Sequence, residues 1–169
     1  TKEKGLCYWG MGHQGVFLAE YHLATGDPLV LPWIQSAMQW IPTGVHRTKW
    51  GYLGLGHGPE GLPYEEKGLI APAVHLAMFD ALGRQCGFTS EFWDKLWPYF
   101  NDTWSDLETG GHGGLGYNAS YRDTEEYWFR SGLFSAALNV MGERPDMQSG
   151  MTRIMRARHP WLRNSHAYG

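Results

Sequence analysis

The sequence feature that most constrains the fold is an internal repeat. Three segments that are small and apolar on nearly every face recur along the chain, at 15–26, 68–83 and 132–142. Each begins with glycine and ends at glycine, a residue that frequently follows the last turn of a helix. Because a helix that is apolar all round is a buried helix, these segments predict three inner helices.

A second kind of helix is predicted after each inner helix. Asp27-Pro28 is typical of a helix start, with proline at the first helical position, and Thr89-Ser90 is a second capping pair. A third such helix is predicted near 145–161. Apolar residues at helical spacing mark only one face of each, and the aromatic stripe over 92–104 is expected to belong to the core. The alternation therefore predicts an inner and an outer helical layer.

The repeat predicts an all-α fold in a single domain, residues 1–169, with three helical hairpins at about 12–47, 64–108 and 124–163. Alternating inner and outer helices curve into a solenoid or close into an α/α-toroid, and about five to seven hairpins close such a ring. Three hairpins form an open arc, which is part of a toroid. We therefore expect a partner that covers the ends of the array, either the remainder of a longer polypeptide or a second copy.

The loops between the hairpins contain regularly spaced histidines among glycines. His57, His112 and His166 lie 55 and 54 residues apart, and His13 precedes the first apolar segment. In a toroid these loops gather at one end of the central cavity, so the four imidazoles are expected to converge. Converging imidazoles bind a transition metal or act as general acid and base near neutral pH. The alternative hypothesis is that Gly-His-Gly is a structural turn.

Two other histidines, His22 and His75, align with each other when Gly15 is aligned with Gly68. Both lie in the middle of apolar helical segments. They are predicted to be core groups with satisfied hydrogen bonds rather than site residues.

The stretch 117–130 concentrates tyrosine, asparagine, arginine and carboxylate side chains where the mouth of a cavity is expected. The candidate catalytic residues are His57, His112, Tyr117 and Asn118. The candidate substrate-binding residues are Tyr121, Arg122, Glu126, Arg130, His13 and His166. An alternative role for Glu126 and Arg130 is an intrahelical pair, because they are four residues apart.

Composition excludes several classes of function. A net charge of −3 does not favour a nucleic-acid binder, and no apolar run approaches the about 20 residues of a membrane span. Cys7 and Cys86 match no metal-binding pattern, so no cofactor is predicted, and a histidine-bound transition metal has no ligand motif to support it. The compartment stays open.

The segment 8–27, YWGMGHQGVFLAEYHLATGD, together with NSHAYG at 164–169, resembles an uncharacterised bacterial family known as a domain of unknown function. The resemblance implies the α/α-toroid of terpenoid cyclases and protein prenyltransferases, and it implies no established activity. Terpene-cyclase chemistry itself is not implied, because the chain has no DxDD-type acid cluster.

The motifs GHGPEG at 56–61 and GHGGLG at 111–116 are similar, more loosely, to the hairpin signature of lanthionine-synthetase C-like proteins. Those proteins are also α/α-toroids, with zinc held by two cysteines and a histidine. The cysteine motifs that supply those ligands are absent here, so the zinc chemistry is not carried over.

Two hypotheses for function follow. The first is an enzyme acting in the toroid cavity on a carbohydrate or another polar substrate, by analogy with the hydrolases and uronate lyases that share this fold. The second is a non-catalytic helical-repeat scaffold that binds a protein or a glycan.

Overall fold

A computed structural model of the chain describes residues 7–48, 51, 53–58, 68–105, 114–115, 127–149 and 152. The fold is all-α. Its helices are α1 (Cys7–Thr25), α2 (Leu31–Trp40), α3 (Ile70–Gln85), α4 (Phe92–Thr103) and α5 (Tyr127–Met141), and residues 145–149 are also helical. Short 3₁₀ turns at Pro28–Val30 and Ile41–Gly44 flank α2.

The structure has two short antiparallel ladders, each with its first strand at the end of a predicted hairpin and its second strand in the predicted loop that follows. β1 (His46–Arg47) pairs with β2 (Leu53–Gly54), and β3 (Trp104–Ser105) pairs with β4 (Gly114–Leu115). These strands could not be predicted from the sequence, because two-residue strands leave no periodic pattern. Each ladder begins after an outer helix and ends before an inner one, so the ladders belong to the repeat.

The inner layer is a row in which α3 packs between α1 and α5. Gly12 lies against His75, Gly15 lies against Phe79, and the Ala19 carbonyl is 3.8 Å from the Cys86 thiol sulfur. Residue numbers therefore rise together along the two helices, so α1 and α3 run in the same direction. Parallel inner helices are the arrangement that the repeat predicts.

The inner helices α1 and α3 differ in how much of their surface is buried. Most residues of α3 are buried, as its composition predicted. For α1 the prediction of burial on nearly every face was wrong: Phe17 is 66% exposed, and Tyr21 and Leu23 are also exposed. The reason is that, among the described residues, α3 packs against two inner helices, α1 and α5, whereas α1 packs against only one, α3.

The outer helices bury one face each. On α2 the buried residues are Ile34, Ala37 and Met38. The aromatic stripe of α4 is in the core, as predicted, and the rings of Phe100 and Phe134 join the layers with centroids 4.4 Å apart.

The helix ends follow the prediction in part. Gly26 and Gly142 follow α1 and α5 with φ of +72° and +71°, which is the left-handed conformation expected there. The predicted starts were wrong, because α1 begins at Cys7 and α5 at Tyr127. Gly83 lies inside α3 rather than after it, where a Cβ would be 2.2 Å from the Met38 sulfur. This glycine serves helix packing and does not end the helix.

Candidate functional site

The structure describes three of the predicted site residues, His13, His57 and Arg130. The other seven lie outside the described residues: His112, Tyr117, Asn118, Tyr121, Arg122, Glu126 and His166.

Three imidazoles surround one indole near the start of α1. The ring centroid of Trp9 lies 6.5 Å from that of His13, 6.4 Å from that of His57 and 5.6 Å from that of His75. We call Trp9, His13, His57 and His75 the histidine cluster. It joins α1, α3 and the segment after β2, so His13 and His57 lie beside the same indole ring. The predicted convergence also involves His112 and His166, which lie outside the described residues.

His57 is docked on the first turn of α1 by two hydrogen bonds. The Trp9 indole N–H donates to His57 Nδ1 at 2.9 Å, and the Tyr8 backbone N–H donates to the His57 carbonyl at 3.0 Å. Because Nδ1 accepts, the imidazole proton is on Nε2. Burial lowers the pKa of His57, which favours this neutral form at pH 7.

His13 and His75 have the opposite tautomer. Nδ1 of His13 is 2.7 Å from the Trp9 carbonyl oxygen, and Nδ1 of His75 is 2.8 Å from the Ala71 carbonyl oxygen. A carbonyl oxygen only accepts, so both Nδ1 atoms carry the proton and both Nε2 atoms keep a lone pair. The two rings are in contact, with centroids 4.3 Å apart and planes at 33°.

The surroundings of His75 keep it neutral. Its pKa is lowered chiefly by burial and further by the neighbouring His13, while the hydrogen bond to the Ala71 carbonyl works in the opposite direction. The side chain of His13 is exposed, so the pair is open to solvent on the α1 side.

His75 was missed as a site residue because it lies in the middle of an apolar helix. Its hydrogen bond to Ala71 agrees with the core prediction, but its ring also contacts His13. The predicted alignment of His75 with His22 was wrong: Nδ1 of His22 is 2.8 Å from the Asp27 carbonyl, beyond the other end of α1. The signal that identifies His75 is the parallel register of α1 and α3, which no single helix reveals.

Arg130 is half-buried on α5, and its neighbour Ser131 anchors the second ladder. The Ser131 hydroxyl accepts the Leu115 N–H at 2.9 Å. In the first ladder the Leu55 carbonyl accepts the Leu69 N–H at 2.7 Å, just before α3. Each ladder is thus joined to the inner helix that follows it.

The two anchored leucines offer a second way of comparing the loops. Leu55 and Leu115 are both fully buried, and they lie in the motifs Gly-Leu-Gly-His57 and Gly-Leu-Gly-Tyr117. Matching the leucines pairs His57 with Tyr117 along the sequence, whereas equal spacing pairs His57 with His112. Both partners are candidate catalytic residues.

A polar groove of about 420 Å³ lies elsewhere, between the end of α2 and the start of α4. Its ionised groups are Glu91 and Lys95, which already pair with each other at 2.8 Å. Its lining includes no residue of the histidine cluster. The histidine cluster is therefore a better candidate for a catalytic site than this groove.

Within the described ranges, no group of three or more histidine, cysteine or acidic side chains is arranged to hold a metal ion. Cys7 and Cys86 are free thiols, half-buried, and burial raises the pKa of each, so both are poor nucleophiles at neutral pH. No helix in the described part of the chain has the length and apolar character needed to cross a membrane.

Comparison with known proteins gives a family and no activity. Neither the curated proteins nor the solved structures include a significant match to the chain. One family model, described as a domain of unknown function (DUF6288), matches residues 1–166. The match covers almost the whole chain and agrees with the resemblance to an uncharacterised domain, so this chain is a member of the DUF6288 family.

Proposed function

We propose that this chain is an enzyme domain in which the histidine cluster performs acid–base chemistry on a carbohydrate or another polar substrate. The observation that supports it is the split in tautomers within the cluster. His57 carries its proton on Nε2, while His13 and His75 present unprotonated Nε2 atoms. His13 and His75 thus have Nε2 lone pairs of the kind that a general base uses, and the Nε2–H of His57 is of the kind that donates a hydrogen bond to a substrate oxygen.

Trp9 has a positioning role in this proposal. Its ring is flanked by those of His13 and His57, at interplanar angles of 16° and 26°. Sugar stacking is therefore assigned to other aromatic side chains, Tyr117 and Tyr121. In the proposed site Asn118, Arg122, Glu126 and Arg130 bind hydroxyl or carboxylate groups, and His112 and His166 contribute from their own loops.

The overall architecture is proposed to be an arc of an α/α-toroid. The support is the row of α1, α3 and α5 with α2 and α4 outside it, and the parallel direction of α1 and α3. In such an arc the inner-helix starts and the ladders lie at one end, where the histidine cluster is found. The arc is completed by further hairpins of a longer polypeptide or by a second copy.

The test is turnover of a panel of neutral and uronate-containing oligosaccharides. Hydrolysis is measured by the release of reducing ends, and elimination is measured by the ultraviolet absorbance of unsaturated uronates. We expect turnover of at least one class, and a reduction of about 10²–10⁴-fold in kcat for His57→Ala. His22→Ala is the matched control, because His22 is also anchored by a carbonyl but lies outside the cluster. Wild-type turnover that His57→Ala does not reduce counts against the cluster as the site.

A second candidate function, a binding scaffold, is favoured by one observation. Phe17 is 66% exposed and Leu29 is 84% exposed, which is unusual for large apolar side chains on a folded surface. A partner chain that co-purifies with the wild type and is lost with Phe17→Ser, together with no turnover on any substrate, supports the scaffold over the enzyme.

A further inference from the structure

We propose that the Nε2 atoms of His13 and His75 together bind a divalent transition-metal ion. The inference rests on the proposed function for the role of the ion: when an ion occupies both Nε2 lone pairs, a water molecule bound to the ion would take over the role of the base. Metal binding itself is measured without any substrate.

The first argument is the way in which the two rings are held. Histidines that bind a metal almost always donate their other ring N–H to a carbonyl or a carboxylate, which orients the ring and fixes the tautomer. His13 and His75 both do this through Nδ1, toward the carbonyls of Trp9 and Ala71. For each of them the metal-binding lone pair on Nε2 is therefore already in place.

The second argument is proximity. The two ring centroids are 4.3 Å apart, whereas two imidazoles on one tetrahedral ion, with Zn–N bonds of about 2.1 Å, have centroids separated by about 5 Å. The observed separation of the centroids is less than about 1 Å short of that value. His13 is exposed, so the ion has an entry path and water ligands complete its coordination.

The third argument is the chemical nature of the donors, which decides the class of ion. Imidazole nitrogen binds Zn²⁺, Cu²⁺ and Ni²⁺ well, while Mg²⁺ and Ca²⁺ prefer oxygen. His57 is outside this ligand set, because its Nδ1 accepts the Trp9 N–H and its Nε2 carries the proton. A two-imidazole site agrees with the lack of a three-ligand group among the residues that the structure describes.

The experiment is calorimetric titration of untagged, metal-free protein with Zn²⁺ and with Ni²⁺ at pH 7.5 (about one unit above the ordinary histidine pKa). We expect one ion per chain, and a loss of affinity of at least about tenfold, the equivalent of 1.4 kcal/mol, for either His13→Ala or His75→Ala. His22→Ala is expected to bind like the wild type, because His22 has the same carbonyl anchor and no imidazole contact. Mg²⁺ is expected to bind weakly or not at all.

Nuclear magnetic resonance of the wild type supplies a readout that does not depend on the folding of a variant. On addition of Zn²⁺, the Nε2 resonances of His13 and His75 are expected to shift, and those of His22 are expected to stay unchanged. A wild type that binds no ion, or that binds equally well after His13→Ala, overturns the metal site and leaves the acid–base proposal standing. If the wild type binds the ion but His57→Ala does not reduce turnover, the proposed function is overturned and the metal site stands.

Discussion

Gly12 and Gly15 allow the approach of α1 to α3 that brings His13 next to His75. A Cβ on Gly12 would lie 2.7 Å from the His75 Cβ, and a Cβ on Gly15 would lie 2.3 Å from the Phe79 ring. Both distances are shorter than van der Waals contact. The two glycines are therefore contact residues, although in the sequence alone they look like any other small residue of an apolar helix.

Substitution of these glycines gives the first prediction. Gly15→Ala is expected to lower the free energy of unfolding by about 1–3 kcal/mol, because the added methyl group overpacks the α1–α3 contact. Gly10→Ala is the matched control on the same helix, where no atom lies within 4 Å of the added Cβ. There the change is expected to stabilise the protein by up to about 1 kcal/mol, through helix propensity. Urea unfolding measures both, and equal stability of Gly15→Ala and wild type contradicts the close contact.

The histidine cluster predicts a pH dependence of stability. The pKa values of His57 and His75 are lowered in the folded state, so below the ordinary value of about 6.5 the unfolded chain binds more protons than the folded one. The contribution of these two groups to the free energy of unfolding is fully present when the pH is above that value. It is lost as the pH falls from there through the lower pKa of the folded state.

The measurement is the free energy of unfolding between about pH 7.5 and pH 5, on either side of the ordinary histidine pKa. We expect His75→Gln to flatten part of the decrease seen in the wild type. Gln14→Ser changes no titratable group and serves as the control that keeps the wild-type slope. An unchanged slope in His75→Gln shows that His75 does not titrate abnormally.

At the scale of elements, a buried carboxylate joins α3 to the start of α4. Asp80 is 3% exposed, accepts a hydrogen bond from Arg84 Nε at 2.8 Å, and is also bonded by the Ser90 hydroxyl. Arg84 in turn donates to the Ser90 carbonyl at 3.0 Å. Burial raises the pKa of Asp80, and its bonds to Arg84 and Ser90 oppose that increase. The Ser90 hydroxyl also accepts the Phe92 N–H at the start of α4, although the N-cap residue of this helix is Glu91 and not the predicted Thr89 or Ser90.

Removal of this carboxylate is expected to loosen the hairpin. Asp80→Ala leaves Arg84 without its partner and is expected to cost about 2–4 kcal/mol, somewhat below the value for a fully buried pair because the Arg84 side chain is 31% exposed. Glu91→Gln breaks the exposed pair with Lys95 and is expected to change stability little. Guanidinium unfolding of the two variants separates these outcomes. If the two variants lose similar amounts of unfolding free energy, the hydrogen bonds of Asp80 contribute no more to stability than a surface ion pair does.

The helices themselves were largely predictable, and their starts were not. Hydrophobic periodicity and the glycines after α1 and α5 are local signals, so the order of the helices and two of the C-terminal ends followed from the sequence. α1 begins at Cys7, eight residues before the glycine at which the apolar segment begins, because the residues between them include Trp9 and His13 and extend the helix beyond the apolar pattern. Gly83 misled the prediction because a glycine that packs against Met38 looks the same in sequence as one that ends a helix.

At the scale of the whole molecule, α1 has an uncovered side. α3 has a neighbouring inner helix on each side, whereas within the described residues α1 has one only on the α3 side. The exposed Phe17 and Leu23 lie on α1 and the exposed Leu29 on the turn after it. We propose that a further hairpin or a second copy covers this surface.

Self-association is therefore expected to depend on Phe17. Sedimentation over a range of concentrations should show reversible association of the wild type, weakened at least about tenfold by Phe17→Ser. Gln14→Ser changes another exposed residue of α1 and is expected to leave the association unchanged. A wild type that stays monomeric at every concentration counts against this surface as an interface between copies.

The sequence by itself determined the all-α class, the alternation of inner and outer helices and the aromatic core of α4, because burial and periodicity are properties of each segment alone. It also indicated His13 and His57 as site residues through their glycine-rich surroundings. Only the tertiary structure decided that His75, 62 residues after His13, lies against it and that Trp9 sits among the three rings. The physical reason is that the register between α1 and α3 is set by contacts such as Gly12 with His75, which depend on how two distant helices fit together.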